Sequence, residues 1–245
     1  MPTNFKFTYQ RKGKHIFVPN QDCIRRGKVL IRHCSKTVRF PKYFFHYQSG
    51  GHVEALHRHL ENKFFFRIDL ENFFYSISRN RVAAALHNIG FTNARTYAQW
   101  SCVKNPVGGP PYSLPIGFVQ SPVLASLAIL RSPLAAAIQR ANENGVFISV
   151  YFDDFIGSAI KQDVLMTAFQ DILAACKAAN LVSNALKLEE PSEHIVAFNC
   201  NLSHGLTEVT GARVGQFFEI PRNEHAIEAF EEYCDRVARE NYPEQ

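Results

Sequence analysis

An acidic pair, Asp153-Asp154, stands between two apolar runs, residues 146–152 and 155–160. Two short runs rich in Val, Ile, Phe and Tyr around a polar dipeptide read as a hairpin with both acids in its turn. A hairpin of this kind needs further strands to bury it. An Asp-Asp turn by itself is also what a solvated loop presents, so the rest of the chain has to decide between the two readings.

The periodicity from residue 63 onward supplies the partners. Residues 63–70 form an apolar strand ending near Asp69. Ser78 is placed to cap a helix carrying Val82, Ala83, Leu86 and Ile89, which Gly90 stops. Residues 91–115, rich in Gly and Pro, read as loop. A long helix is expected over about 121–144, bent or broken near Pro133. After the hairpin, a helix over 162–180 places Leu165, Phe169, Ile172, Leu173 and Cys176 on one face, and 195–201 reads as a strand. The resulting order, β-α-β-β-α-β, is that of a ferredoxin-like sheet with helices on one face, an α+β fold. In that topology the strand ending at Asp69 lies beside the hairpin, so three carboxylates are expected to converge. A tail helix over 223–239 starts at an Asn cap and carries Ile227, Phe230, Tyr233, Cys234 and Val237 on its apolar stripe.

Charge separates the N-terminal arm from the remainder. Residues 1–43 hold eleven Lys and Arg against one acid, Asp22, which leaves the rest of the chain acidic although the total is +5. Aromatic and branched residues interleave with these charges (Phe5, Phe7, Tyr9, Ile16, Phe17, Val18), as in a hairpin turning near Lys12-Gly13. A polyanionic partner fits such an arm, and a solvated basic face is the plain alternative. The apolar fraction of 46% suffices for a core, while the longest apolar runs fall far short of the roughly 20 residues that span a membrane. No signal-peptide pattern opens the sequence, so no membrane partner and a cytoplasmic location are expected. The six cysteines form no CxxC pair and read as free thiols.

Three acids crowded at a sheet edge repel one another unless hard cations neutralise them. Mg²⁺ suits carboxylate and phosphate oxygens, and two such ions can stabilise both the attacking 3′-hydroxyl and the departing pyrophosphate of an in-line displacement. Mn²⁺ is the natural substitute.

Three segments then carry a family resemblance. Phe66-Arg67-Ile68-Asp69-Leu70-Glu71-Asn72-Phe73-Phe74 resembles the first catalytic motif of bacterial reverse transcriptases, Leu114-Pro115-Ile116-Gly117-Phe118-Val119-Gln120-Ser121-Pro122 their substrate-binding motif, and Tyr151-Phe152-Asp153-Asp154 their YxDD box. Order and spacing agree, and the resemblance extends over about residues 5–201. It implies a right-hand polymerase: a basic fingers-like region (1–62), a palm (63–201, with 91–120 partly fingers or loop) and a reduced thumb, or a hairpin plus helix (202–245). It implies Asp69, Asp153 and Asp154 as catalytic acids, Asp154 the weaker ligand, with Leu70 counted among the metal positions. It makes Phe74 a steric gate against the ribose 2′-hydroxyl, although core packing beside Phe73 would also suit a Phe. It places Ile116 and Gly117 under the nucleotide and template, and Lys187 near the triphosphate. Arg25, Arg26 and Arg32 are the candidates for triphosphate or template contacts from the fingers.

Departures from the family pattern are visible too. Ile116 stands where many members have Gln, and Asn199-Cys200 replaces Leu-Gly after Phe198 in the primer-grip region. Only 44 residues follow Asn201, too few for a full helical thumb or an RNase H domain, which suggests a protein partner or a homo-oligomer. Val209-Thr210-Gly211, read as part of a hairpin, resembles a short retron signature. The implied substrates are deoxynucleotides and an RNA template or non-coding RNA, the product is DNA, and the setting is antiphage defence. A template-independent or protein-primed polymerase on the same palm is the alternative; an inactive palm serving as an RNA-binding module is the alternative of another class.

Overall fold

The computed structural model describes residues 3–243. In chain order its elements are β1 (Phe5–Arg11), β2 (Lys14–Pro19), α1 (Gln21–Thr37), α2 (Gly51–His57), β3 (Phe64–Asp69), α3 (Phe73–Ser76), α4 (Arg79–Asn88), α5 (Ala94–Ser101), β4 (Val103–Lys104), β5 (Tyr112–Ser113), α6 (Ser121–Leu130), α7 (Pro133–Glu143), β6 (Phe147–Tyr151), β7 (Asp154–Ala159), α8 (Gln162–Ala178), β8 (Glu189–Ser192), β9 (His194–Ala197), β10 (Cys200–Ser203), β11 (Leu206–Val209), α9 (Gly211–Phe218) and α10 (Glu224–Ala238). They group into two compact units. One takes the residues up to Pro41, Leu70–Ala136 and Ala175–Val182; the other takes Lys42–Asp69, Ala137–Ala174 and Ser183 onward.

The second unit is built on a four-stranded antiparallel sheet in the order β6-β7-β3-β8, the ferredoxin-like order expected from the sequence. Phe66 on β3 faces Gly157 on β7, where a Cβ would lie only 2.3 Å from the Phe66 ring. The bare glycine lets that ring lie flat across the sheet and meet Phe169 of α8 at 5.3 Å between centroids. The opposing core gathers Leu56, Phe65, Ile156, Ile195, Leu202 and Val237, so the tail helix α10 is held by burial of its apolar stripe. Asn223 caps α10 through Ala226 N–H, as its sequence position indicates.

A polar group sits inside this unit. His59 is fully buried between Ser158 Oγ (2.7 Å from Nδ1) and Ser149 Oγ (2.8 Å from Nε2). Burial pushes its pKa down to about 3. Below an ordinary histidine pKa the unfolded chain takes up a proton that the folded chain refuses. Stability is therefore complete above about pH 6.5 and falls as pH drops toward 3, by at most about 1.4 kcal/mol per pH unit from this group. We expect urea midpoints measured between pH 7 and 5 to fall less steeply in His59→Gln than in wild type; parallel slopes would show that His59 is not the acid-sensitive group.

In the first unit, β1 and β2 form the expected hairpin, turning at Lys12 and Gly13, both at positive φ. Phe17, Cys23, Tyr75, Val103 and Phe118 make its core, joined by Phe5, Trp100 and Ile116.

Four expectations need correction. Residues 91–115 are not all loop: Ala94–Ser101, the part without Gly or Pro, forms α5 and buries Ala98 and Ser101, and the Gly- and Pro-rich remainder is closed by the short β4-β5 ladder. The fourth palm strand is β8, not 195–201, which instead folds back on itself as β9 and β10. Phe198 and Asn199 both take left-handed backbone there, at φ 55° and 61°, and so close a two-residue turn between Ala197 and Cys200. Val209-Thr210-Gly211 lies only partly in a hairpin: Val209 ends β11, where it pairs with Cys200 of β10, but Thr210 caps α9 through Arg213 N–H. The tail accordingly holds a helix, α9, that its sequence did not announce. The helix expected over 121–144 is broken as foreseen, into α6 and α7. All six cysteines are free. Among the described residues no single helix is long and apolar enough to cross a membrane.

Candidate active site

β3 and β7 bring two of the expected acids face to face. Asp69, the last residue of β3, is the register partner of Asp154, the first of β7, and Asp154 also pairs with Tyr151 across the hairpin. Asp154 therefore belongs to the strand, and only Phe152 and Asp153 form the loop. The turn is tight at a cost. Phe152 sits at φ 56°, an uncommon conformation for a bulky residue, worth on the order of 1–3 kcal/mol. Its N–H donates to His46 Nδ1 at 3.2 Å, and its ring stacks on the His46 imidazole at 4.4 Å. Burial lowers the His46 pKa to about 4, which keeps Nδ1 available as an acceptor at neutral pH.

The acids are met by protein cations. Lys187 Nζ lies 2.9 Å from Asp69 Oδ2, and Asn184 Nδ2 donates to Asp69 Oδ1 at 3.3 Å. Arg67, two residues before Asp69 and so on the same side of β3, gives Nε (2.8 Å) and Nη2 (2.6 Å) to Asp154 Oδ1. Its Nη1 donates to the Val196 carbonyl at 2.9 Å, and Nη2 lies 3.8 Å from Asp69 Oδ2. Burial pushes the Asp154 carboxyl above the ordinary carboxylate value, and the Arg67 guanidinium pulls it partly back.

Three convergent ligands were expected. Among the described residues no group of three His, Cys, Asp or Glu is gathered for a metal ion. Lys187 and Arg67 occupy oxygens of Asp69 and Asp154 in this arrangement. In chemistry the donor set still suits a hard divalent cation, with carboxylate oxygens at adjacent strand ends and Asp153 on the intervening loop.

Asp153 and Asp154, with Arg67 and Lys187, line a cavity of about 920 Å³ whose other walls include Tyr151, Phe198, Arg213, Phe230 and Tyr233. Both strained aromatic turn residues, Phe152 and Phe198, stand on it. Backbone strain held at two points of one cavity is a pattern more common at functional sites than elsewhere.

The remaining expected site residues belong to the other unit. Leu70 is buried there. Phe73 is buried while Phe74, its neighbour on the short α3, is only half-buried, so of the two adjacent rings Phe73 is the one fully taken up in packing. Ile116 is partly buried against the hairpin core, and its carbonyl accepts Phe17 N–H at 2.9 Å. An apolar side chain at this position thus has a packing partner, which accounts for its departure from Gln. Gly117 takes φ 109°. The three arginines of α1 divide: Arg25 and Arg32 are exposed and seven residues apart on one face, Arg25 pairing with Asp22 at 2.7 Å, whereas Arg26 stacks on Trp100 at 4.6 Å.

Arg67 and Asn184 were missed by reading the sequence. The signal for Arg67 was present: a charge inside an otherwise apolar strand, at the period-2 position that shares a face with Asp69, requires a buried partner. Asn184 carried no such signal.

The sheet order, paired acids and strained turns define a polymerase-type palm. The family model described as reverse transcriptase (RNA-dependent DNA polymerase) matches residues 14–198. The chain belongs to the reverse transcriptase family, whose members generally use divalent metal ions. It is 30% identical over 132 residues to the retron Ec86 reverse transcriptase of Escherichia coli, a match covering 53% of this chain and 38% of that protein. In fold it is similar to the foamy viral protease-reverse transcriptase in complex with double-stranded DNA (TM-score 0.53, 15% identity, 91% of this chain and 33% of that one). It is similar also to the same enzyme with an RNA/DNA hybrid (TM-score 0.53, 16% identity, 93% and 26%). The chain thus spans less than two thirds of the length of each of these relatives.

Proposed function

We propose that this chain is an RNA-directed DNA polymerase of the bacterial retron-type group, extending a primer with deoxynucleotides on an RNA template. The observation that carries this reading is the facing pair Asp69 and Asp154 beside the loop acid Asp153, in a chain of the reverse transcriptase family. Asp69 and Asp153, with Asp154 as the weaker ligand, would hold Mg²⁺, which supplies charge stabilisation at the attacking and leaving oxygens when bound. Mn²⁺ would substitute for it. Lys187, whose ammonium already lies on an acid of the site, is placed to hold negative charge, and in the reaction it would donate toward the departing pyrophosphate. Phe74 selects the sugar, while Ile116 and Gly117 underlie the nucleotide. The cytoplasm and antiphage defence are the proposed setting, with a non-coding RNA as template and a protein partner or second copy completing the grip on the duplex.

Sugar choice tests this reading. In Phe74→Ala, the ratio of dNTP to rNTP incorporation efficiency should fall by at least tenfold, with a smaller loss of dNTP incorporation, because the half-buried ring no longer excludes a 2′-hydroxyl. An unchanged ratio in folded protein would return Phe74 to a packing role.

Template binding should depend steeply on salt. Neutralising Arg25, Arg26 and Arg32 together should lower the slope of log affinity for a single-stranded RNA against log salt by about 1.4 and not about 2.1, since each phosphate contact on a single strand contributes about 0.7 and Arg26 is engaged on Trp100. An unaltered slope would remove α1 from the nucleic-acid surface.

A further inference from the structure

Arg67 does more than neutralise an acid. Its guanidinium spends two N–H groups on one oxygen of Asp154 and a third on the Val196 carbonyl of β9, while its side chain is almost wholly withdrawn from water. Three directed bonds from one planar group fix position as well as charge. They join the strand that ends in Asp69, the strand that begins with Asp154, and the strand that leads into the strained Phe198-Asn199 turn. Glu189, the β3 register partner of Arg67, accepts Val196 N–H at 3.0 Å, so Val196 is held through both backbone groups.

From this geometry we infer that Arg67 is a positioning residue: by claiming Asp154 for the scaffold it is what makes that acid the weaker ligand beside Asp69 and Asp153. Asp154 acts as the anchor of Arg67, and the contact fixes the distance between β3 and β9. The inference rests on the proposed polymerase reading for its effect on rate, but its effect on metal affinity can be read without any nucleotide. An arginine that holds Asp154 and stands 3.8 Å from Asp69 Oδ2 opposes a cation at the site on two counts: it occupies an oxygen and it carries like charge.

Removing it therefore produces an unusual combination, tighter metal binding with slower chemistry. The test is Mn²⁺ binding to the protein alone, followed by the electron paramagnetic resonance signal of free Mn²⁺, together with single-nucleotide incorporation rates. Asp69→Asn should weaken Mn²⁺ at least tenfold, and Asp154→Asn should stay within about threefold of wild type because the amide oxygen still accepts from Arg67. Arg67→Met should bind Mn²⁺ several-fold more tightly while incorporation falls at least tenfold. Arg67→Lys, which keeps the charge but loses the planar set of donors, guards against a Met variant that fails to fold: its Mn²⁺ affinity should remain near wild type and its rate should still fall. Loss of Mn²⁺ affinity in Asp154→Asn equal to that in Asp69→Asn would overturn the inference alone. So would weaker or unchanged Mn²⁺ binding in folded Arg67→Met, or a wild-type rate in Arg67→Lys. Wild-type Mn²⁺ affinity in Asp69→Asn would overturn both the inference and the polymerase reading.

Discussion

Asp69→Asn is expected to abolish nucleotide incorporation, with a fall of at least about 10³-fold, or roughly 4 kcal/mol in barrier height. The substitution preserves volume, and the single amide oxygen can still accept from Asn184, while the contact with Lys187, which meets the other oxygen, is given up. Lys187 is half-exposed and can return to water without leaving a buried unpaired charge. The lost element is the negative charge itself at the end of β3, which is what a divalent cation requires. Thermal unfolding should shift by only a few degrees. Activity within about tenfold of wild type would show that Asp69 is not a catalytic acid.

Gly117→Ala is expected to give the largest effect in the other unit. At φ 109° the backbone lies where residues with a side chain are strained, and a Cβ built there stands 2.3 Å from the Phe17 carbonyl oxygen. That oxygen cannot retreat freely, because Phe17 N–H is bonded to the Ile116 carbonyl and the Phe17 ring is buried. Strain and clash together should cost about 2–4 kcal/mol. The β1-β2 hairpin should separate from the Ile116-Gly117 segment, so loss of hydrogen-exchange protection at Phe17 should accompany loss of nucleotide affinity. Wild-type stability and protection in Gly117→Ala would show that the close approach is not required.

The sequence was most legible where periodicity was strong and both faces of an element had a clear fate. The β3, β6 and β7 strands, the Ser78 and Asn223 caps and the hairpin at Lys12-Gly13 follow from local pattern alone. The break between α6 and α7 follows from one proline. Strand pairing further along was not legible. Residues 195–201 read as one strand because nothing in Phe198 or Asn199 as residue types demands a turn; their left-handed backbone is imposed by β9 and β10 pairing around them. Likewise β8 contains Glu189, Glu190 and Pro191, a composition with poor strand propensity that the neighbouring β3 overrides. At the site, the motifs located the acids but not their partners: Arg67 lies inside the first motif, and its engagement with Asp154 depends on the pairing of β3 with β7.

On the proposed reading, Asp69 and Asp153 carry out templated synthesis of DNA on RNA. The most direct test of that reading is a four-by-four measurement: purified protein and Mg²⁺, a primer annealed to RNA templates that differ only in the first unpaired base, and each dNTP supplied singly. Each template should direct incorporation of its complementary dNTP, and this incorporation should be lost in Asp69→Asn and in Asp153→Asn. Incorporation that is indifferent to the template base, or that survives in both variants, would contradict that reading.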